Sequence, residues 1–150
     1  SIITDGENVG LPTSVKKIKN YAFSGCVNLK DAGFTFNDGL VSIGENAFEK
    51  AGLSNVEIPS TVEAIGNRCF TASAVKKIEI SVAVISDYAF YNCDDLEVVA
   101  LGGTVTTIGD FAFAECSSLI FIGTGYTDGA IGSSVAGITL EPNWNYNTEI

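Results

Sequence analysis

The 150-residue chain is predicted to fold as one α/β repeat solenoid, with a short parallel β-sheet on one face and short helical turns on the other. Two observations carry this prediction. Residues 8–23 align with residues 55–70 without a gap, and Val, Pro, Val, Ile, Asn and Phe recur at the same places. A five-residue step from Ile to Phe then occurs five times. We number the copies 1 to 5 by the residues that end this step, which are Phe23, Phe48, Phe70, Phe90 and Phe113.

The length of the repeat indicates which kind of solenoid is present. Successive repeat phenylalanines are 25, 22, 20 and 23 residues apart, which lies in the range of leucine-rich repeats. Each copy can bury its apolar face only against its neighbours, so the copies must stack. The differences in length fall in two connections, and the Asn37-Asp38-Gly39 turn marks the longest one. The sequence therefore predicts a leucine-rich-repeat solenoid.

The strand of each copy follows from its alternating polarity. Val56 and Ile58 are apolar while Asn55 and Glu57 are polar, which is typical of a strand with one buried face. Stacked copies would place such strands about 4.8 Å apart in a parallel sheet. The positions assigned as equivalent to Ile58 are Phe34, Ile80, Leu101 and Thr124. The outward positions are then Asn8 and Gly10, Asp31 and Gly33, Asn55 and Glu57, Lys77 and Glu79, Val98 and Ala100, and Phe121 and Gly123.

The opposite side of each copy is predicted to be one short helical turn. Two residues after each repeat Ile stands a residue that would open the turn, in the series Asn20, Glu45, Asn67, Asp87 and Asp110. Asn and Asp are preferred N-caps because their side-chain oxygen accepts a hydrogen bond from an unpaired amide. We favour this interpretation over a ladder of metal ligands.

The repeat resembles that of the BspA-like leucine-rich-repeat family, which reads roughly I-G-x-x-A-F-x-x-C-x-x-L-x-x-V-x-I-P. The matching segments are residues 43–48, 53–59 and 108–119, and the resemblance covers residues 8 to about 124. Copy 4 departs from it, because no Gly follows Ile85 and no Pro follows Leu101. The resemblance implies a bacterial or protist surface or secreted protein, with adhesion as a common role and no catalytic motif.

The four cysteines fit the repeat. Cys26, Cys93 and Cys116 each follow a repeat Phe by three residues, and Cys69 takes a small-residue position. Four Cys in an extracellular chain could form two disulfides. We expect free thiols instead, because copies packed as helices would lie about 8–10 Å apart, whereas a disulfide needs Cα atoms within about 7 Å.

Composition argues against catalysis and against several partner classes. The chain has no His, which removes the commonest general base and His-ligated zinc. Its net charge of −10 argues against nucleic acid as a partner. No apolar run approaches the roughly 20 residues of a membrane-spanning helix. We therefore expect no enzyme activity, cofactor, metal site or membrane insertion.

The charge is unevenly distributed along the chain. Residues 1–77 contain eight bases and eight acids, whereas residues 78–150 contain ten acids and no base. One interpretation is a solvated acidic surface. The other is a face for a basic partner or for divalent cations.

The C-terminal part of the chain leaves the repeat pattern. Residues 1–124 are assigned to the solenoid, with a partial copy preceding copy 1. Residues 125–150 lack the Ile-to-Phe step but contain Trp144, Tyr146 and several aliphatic residues. They are predicted to form a cap over the last core layer, since terminal repeats are commonly atypical. A degraded sixth copy that leads into a further domain is the alternative.

The predicted function is a non-enzymatic, extracellular or cell-surface binding or adhesion module. Its sheet face would recognise a protein or another macromolecule, through Lys77, Glu79, Val98 and Phe121. Val98 and Phe121 are apolar where the pattern places a solvated residue, which suggests a contact. Residues 125–150 could instead fold back and cover them. A structural spacer without a ligand is the alternative function, and the sequence leaves the ligand and oligomeric state open.

Overall fold

The computed structural model describes residues 3–4, 9–29, 34–102, 104–123 and 137–139. These residues form a parallel solenoid of short strands and tight turns. The strands are β1 (Ile3–Thr4), β2 (Val9–Gly10), β3 (Lys17–Ile18), β4 (Ser42–Ile43), β5 (Asn55–Glu57), β6 (Ala64–Ile65), β7 (Lys77–Ile80), β8 (Val84–Ile85), β9 (Val98–Leu101), β10 (Thr107–Ile108), β11 (Phe121–Gly123) and β12 (Gly137–Thr139).

The predicted parallel sheet is confirmed, with the predicted register for copies 2 to 5. Strands β5, β7, β9 and β11 lie side by side in that order. Val56 of β5 pairs with Ile78 of β7, and Ile78 pairs with Val99 of β9. These apolar side chains are buried, with Val56 3% exposed and Ile78 fully enclosed. Strand β12 adds to the edge of the sheet beside β11 in the antiparallel direction. The other residues of the predicted cap lie outside the described residues.

A second line of strands runs beside the first and was not predicted. Each of these two-residue strands ends at a repeat Ile, and β3, β4 and β6 form one parallel sheet. Strands β8 and β10 pair in the same way. The repeat Ile side chains Ile43, Ile65 and Ile85 are buried in the core. Each copy therefore contributes two strands, with a turn between them that closes over the repeat Phe.

The predicted helical turns are wrong for the described residues, which contain no helix. Each copy turns instead through two residues with positive φ that lie four positions apart. They are Tyr21 and Gly25, Asn46 and Lys50, Arg68 and Ala72, Tyr88 and Asn92, and Phe111 and Glu115. Nine of these ten residues carry a side chain, for which this conformation costs roughly 1–2 kcal/mol each.

Hydrogen bonding between copies explains this backbone. At four junctions, the two positive-φ residues and the Phe between them each donate their N–H to a carbonyl of the next copy, at 2.7–3.1 Å. Phe70 donates to Ala89 in this way, and Ala72 donates to Tyr91. A helical backbone would direct these N–H groups along its own axis instead. The left-handed conformation is therefore retained, because an unpaired buried N–H would cost about 1–3 kcal/mol.

The residues predicted to be N-caps do cap amides, but in the neighbouring copy. The Oδ1 of Asn20 accepts a hydrogen bond from the N–H of Glu45 at 3.0 Å, and Asp87 accepts one from Asp110 at 2.9 Å. Each pair joins equivalent positions of adjacent copies. The preference for Asn and Asp here thus stabilises the stack rather than the start of a helix.

Close stacking also accounts for the Gly that follows the repeat Ile. A Cβ on Gly66 would lie 2.3 Å from the backbone nitrogen of Glu45, and one on Gly109 would lie 2.6 Å from that of Asp87. No side chain fits at that distance, so these positions have room only for hydrogen.

The repeat phenylalanines form the predicted ladder. Neighbouring rings stack with centroids 5.0 to 5.2 Å apart and planes within 9° of parallel. Phe48, Phe70, Phe90 and Phe113 are buried, and Phe23 is half-buried. The ring spacing shows that the copies lie about as close on the turn side as they do in the sheet.

The register assigned to the strand segment of copy 1 is wrong by two residues. Gly10 pairs with Thr35 rather than Gly33, and both Phe34 and Phe36 pack against the ring of Phe48. Phe36, not Phe34, is therefore equivalent to Ile58. The two additional residues of copy 1 precede this segment and do not lie in the Asn37-Asp38-Gly39 turn.

Truncation of the ladder should destabilise the protein strongly. Phe70→Ala should lower the free energy of unfolding by about 3–5 kcal/mol, because the fully buried ring stacks between two others. Phe111→Ala is the control and should lose about 1 kcal/mol or less, since this ring is 37% exposed. Equal losses in urea unfolding would show that the ladder is not the core.

Relief of one strained turn position should stabilise the protein. Ala72 has a φ of 53°, and Ala72→Gly should raise the free energy of unfolding by up to about 1 kcal/mol. Ala64→Gly, in the exposed strand position of β6, should instead lower it by about 0.5–1 kcal/mol. Urea unfolding of both variants measures the difference, and a loss at residue 72 would contradict the proposed strain.

Candidate partner-binding surface

The outward side chains of the main sheet form two rows across the strands. In one row Asn55 pairs with Lys77, and Lys77 pairs with Val98, which in turn faces Phe121. In the other row, Glu57 and Glu79 stand in register and are followed by Ala100 and Gly123. The backbone alternation of β5, β7, β9 and β11 thus brings Lys77 and Glu79 onto one face, as the sequence predicted.

The exposure of this face changes sharply between β7 and β9. Asn55, Glu57, Lys77 and Glu79 are exposed, whereas Val98 is only 5% exposed. Of the two alternatives for Val98, an exposed apolar contact is therefore wrong. Cover by residues 125–150 stays a prediction, because most of those residues lie outside the described part of the chain. Val98 lies on the opposite face of β9 from Val99 and does not belong to the core cluster that contains Val99.

Phe121 occupies the neighbouring position in β11. Its backbone pairs with Val98 on one side and with Thr139 of β12 on the other. Its side chain lies outside the described part of the chain. The position in the row agrees with the sequence, and the role of the ring stays a prediction.

A groove lies beside the exposed half of the sheet. A cavity of about 310 Å³ is lined by Phe36 and by the three carboxylates of Asp38, Glu57 and Glu79. A second cavity of about 290 Å³ continues from it and shares Phe36 and Glu57. Phe36 is half-buried and supplies an apolar floor, while the three acidic residues are exposed at the rim.

Two like charges meet on the sheet side of this groove. Glu57 and Glu79 are directly opposite one another on adjacent strands, a placement that destabilises a sheet when both residues carry the same charge. Lys77 lies two residues before Glu79 on the same face. A cationic group from another molecule would offset the repulsion between the two glutamates.

The sequence did not identify Phe36 and Asp38 as parts of the surface. The register predicted for copy 1 assigns to Phe34 the position that Phe36 holds, and the pattern around Asp38 predicts only a turn. The local signal was present in the alternation Phe34-Thr35-Phe36, which continues the inward pattern of a strand.

The described residues contain no group of three His, Cys, Asp or Glu side chains that could hold a metal ion. The same ranges contain no helix that is long and apolar enough to cross a membrane.

The expected free thiols are confirmed, but the distance between copies is not what keeps them free. The four cysteines are unpaired, with Cys26 exposed and the others buried. The copies stack at about 5 Å rather than at the distance of packed helices, so spacing does not keep Cys93 and Cys116 apart. Each of these two thiols donates a hydrogen bond to a carbonyl oxygen of the preceding copy, of Phe70 and Phe90 respectively.

Two buried thiols are held in the protonated form. Burial raises the pKa of the Cys69 thiol well above its usual range. The pKa of the Cys116 thiol is raised mainly by its hydrogen bond with Cys93 and, to a smaller extent, by burial. Neither residue has the depressed pKa of a nucleophilic cysteine.

Comparisons with known proteins agree with the geometry. The model of the "BspA type Leucine rich repeat region" matches six copies over residues 4–120. The chain is similar to a solved leucine-rich repeat protein from Bacteroides ovatus ATCC 8483, with 26% identity, a TM-score of 0.58, and coverage of 80% of this chain and 37% of that one. It is also similar to one from Eubacterium ventriosum ATCC 27560, with 23% identity, a TM-score of 0.59, and coverage of 93% and 45%.

The chain thus spans less than half the length of either solved structure. A search of the curated proteins finds no match.

Removal of the covered valine should affect stability, which reverses the expectation for an exposed contact. Val98→Ser should lower the free energy of unfolding by about 1–3 kcal/mol, because a buried apolar side chain is replaced by a hydroxyl. Lys77→Ser, at the adjacent exposed position, should change it by about 0.5 kcal/mol or less. Urea unfolding measures the stability of both variants. If Val98→Ser leaves the stability unchanged, the side chain of Val98 is exposed rather than buried.

Proposed function

Since the chain belongs to the BspA-type leucine-rich-repeat family, we propose that it is a non-enzymatic binding module that recognises a protein or another macromolecule through its sheet face. The binding region consists of the exposed outward positions of β5 and β7 and the adjoining groove. Lys77 and Glu79 lie in it, together with Glu57, Asp38 and Phe36.

The single observation that carries this proposal is the unfavourable placement of Glu57 beside Glu79. Two exposed carboxylates in register repel one another, and a cationic group of a partner would offset this repulsion. The apolar floor at Phe36 adds a position where a partner side chain can be desolvated. Charged rim and apolar floor together are the arrangement of a small protein-binding site.

The burial of Val98 narrows the proposed site. An outer residue that is already covered cannot be a principal contact without a rearrangement. The partner-binding surface is therefore centred on β5 and β7 rather than on the last two copies. Phe121 remains a proposed contact at the border of this surface.

The proposed location is extracellular, either on the cell surface or secreted. The family resemblance supports this location.

A structural spacer is the second candidate function, and one observation favours it. The exposed outward positions of β5 and β7 are all polar or charged, as expected for a face that only meets solvent. A spacer would hold another part of a larger protein at a distance and would have no ligand. A binding module would have a partner that contacts the sheet face selectively, whereas a spacer would have none.

Site-directed photo-cross-linking tests the proposal. A photoreactive phenylalanine analogue replaces Glu79 on the sheet face or, as the control, Glu45 on the exposed turn side. With cells or extracellular material as the source of partners, position 79 should give a discrete adduct that position 45 does not. The adduct partner is then purified and titrated against the unmodified chain and against a Lys77→Ala/Glu79→Ala variant. That variant should bind at least about tenfold more weakly.

Equal labelling at both positions, or unchanged affinity of the double variant, would contradict a binding role for this face and favour the spacer. Thermal unfolding of the variant provides the control for folding. Its melting temperature should stay close to that of the parent chain, since both substituted residues are exposed.

A further inference from the structure

The geometry points to a second binding site, a notch at the corner of the solenoid that takes a lysine- or arginine-bearing segment of a protein partner. The notch shares no lining residue with the groove on the sheet face. It does not depend on the function proposed for that face. The notch arises because the corner after the repeat Phe is one residue shorter in copies 2 and 3 than in the other copies.

The corner that follows the repeat Phe exists in two lengths. In copies 1, 4 and 5 a β-turn projects from it, closed by hydrogen bonds such as Leu29 N–H to the carbonyl of Cys26 at 3.0 Å. In copies 2 and 3 one residue is missing, and the chain passes directly from Ala51 to Leu53 through Gly52, and from Ser73 to Val75 through Ala74. These two corners have no projecting turn.

The short corners form the floor of the notch, and the long corners form its walls. The amide of Gly52 donates to Cys26 and that of Ala74 donates to Ala51, so the floor is bonded into the stack. The walls are the turns of copies 1 and 4, which lie about 15 Å apart along the stack, since ring spacings of 5.0, 5.2 and 5.2 Å separate these copies. The cavity between them measures about 440 Å³.

The two walls differ in chemistry. Val27 on the copy 1 side is apolar and 58% exposed. Asp94 and Asp95 form the copy 4 side, and both are exposed. The hydroxyl of Ser117 donates to Oδ1 of Asp94 at 3.3 Å and holds this carboxylate in the wall.

Charge complementarity identifies the occupant. The base that lines the notch is Lys50, and its ammonium is 3.9 Å from the carboxylate of Glu49. The carboxylates of Asp94 and Asp95 therefore give this corner an excess of negative charge. A Lys or Arg side chain can place its charged end at these carboxylates while its aliphatic stem lies over the alanine floor toward Val27. The floor spans two copies, which is wide enough for one extended polypeptide segment.

A matched pair of peptides tests this inference on the whole chain. The probe is acetyl-Gly-Arg-Gly-amide, and the control is the same peptide with citrulline, which has the shape of arginine but no charge. Amide chemical shifts of Gly52, Ala74 and Asp95 are followed by ¹H–¹⁵N spectroscopy. The arginine peptide should shift these amides saturably, with a Kd on the order of millimolar, and the citrulline peptide should not.

Substitutions distinguish the notch from a general acidic surface. Asp94→Asn/Asp95→Asn should weaken binding of the arginine peptide by about fivefold, because two exposed ion pairs are removed. The control Glu63→Gln/Asp110→Asn removes the same charge from exposed positions elsewhere and should leave the affinity unchanged. Ala74→Trp, which fills the floor, should abolish the shifts, and the aspartate variants give an answer even where this variant fails to fold.

Three results would overturn the inference. Equal binding of the citrulline peptide would remove the charge argument. Equal weakening by the control variant would show a diffuse acidic surface. Concentration-dependent shifts of the same amides without any peptide would place a second copy of the chain in the notch.

Discussion

The fold depends on backbone hydrogen bonds that run between copies on every side of the solenoid. The main sheet contributes the usual parallel ladder, and the turn side contributes a second ladder in which Phe70 and Ala72, for example, donate to the next copy. Both ladders require the copies to lie about 5 Å apart. That spacing then determines which residues fit, from the hydrogen of Gly66 to the parallel rings of the Phe stack.

The same constraint separates what the sequence could predict from what it could not. The period, the inward Phe ladder and the register from β5 to β11 were predictable, because buried apolar residues must recur wherever equivalent positions stack. The turn conformation was not predictable from local preference. Asn20 and Asp87 stand at the start of a turn much as N-caps stand at the start of a helix, yet their oxygens accept hydrogen bonds from amides of the neighbouring copy. Local pattern does not reveal whether a backbone amide finds its partner inside its own copy.

The candidate site shows a similar division. The alternation of the strands placed Lys77 and Glu79 correctly on the open face, since one register fits all the buried residues. It left open whether Val98 is exposed or covered, because the alternation along one strand does not show what packs on its outer face. In copy 1, two additional residues shifted the assignment of the strand, and the misassignment concealed the apolar floor at Phe36. An insertion makes it ambiguous which of the following residues are equivalent to those of the other copies, so the alignment of repeats fails there.

Both proposed sites lie where the copies differ from one another rather than where they agree. Positions that serve the stack recur with few exceptions, such as Ser86 in place of the Gly after the repeat Ile, and they describe only the scaffold. The in-register glutamates of β5 and β7 and the shortened corners of copies 2 and 3 depart from the average copy. Both departures create concave, negatively charged features on an otherwise regular surface. A scaffold whose stability is spread over many similar junctions can tolerate such local departures without losing its fold.

Native-state hydrogen exchange tests the central role of the inter-copy ladder most directly. The amides of Phe70, Ala72, Phe90 and Asn92 each donate to a carbonyl of the next copy. The account predicts that they exchange only through large-scale unfolding, with the same dependence on denaturant as the amides of β7. Exchange of Ala72 and Asn92 through local fluctuations, while the sheet stays protected, would contradict it and show that the turns are attached to the stack by the phenylalanines alone.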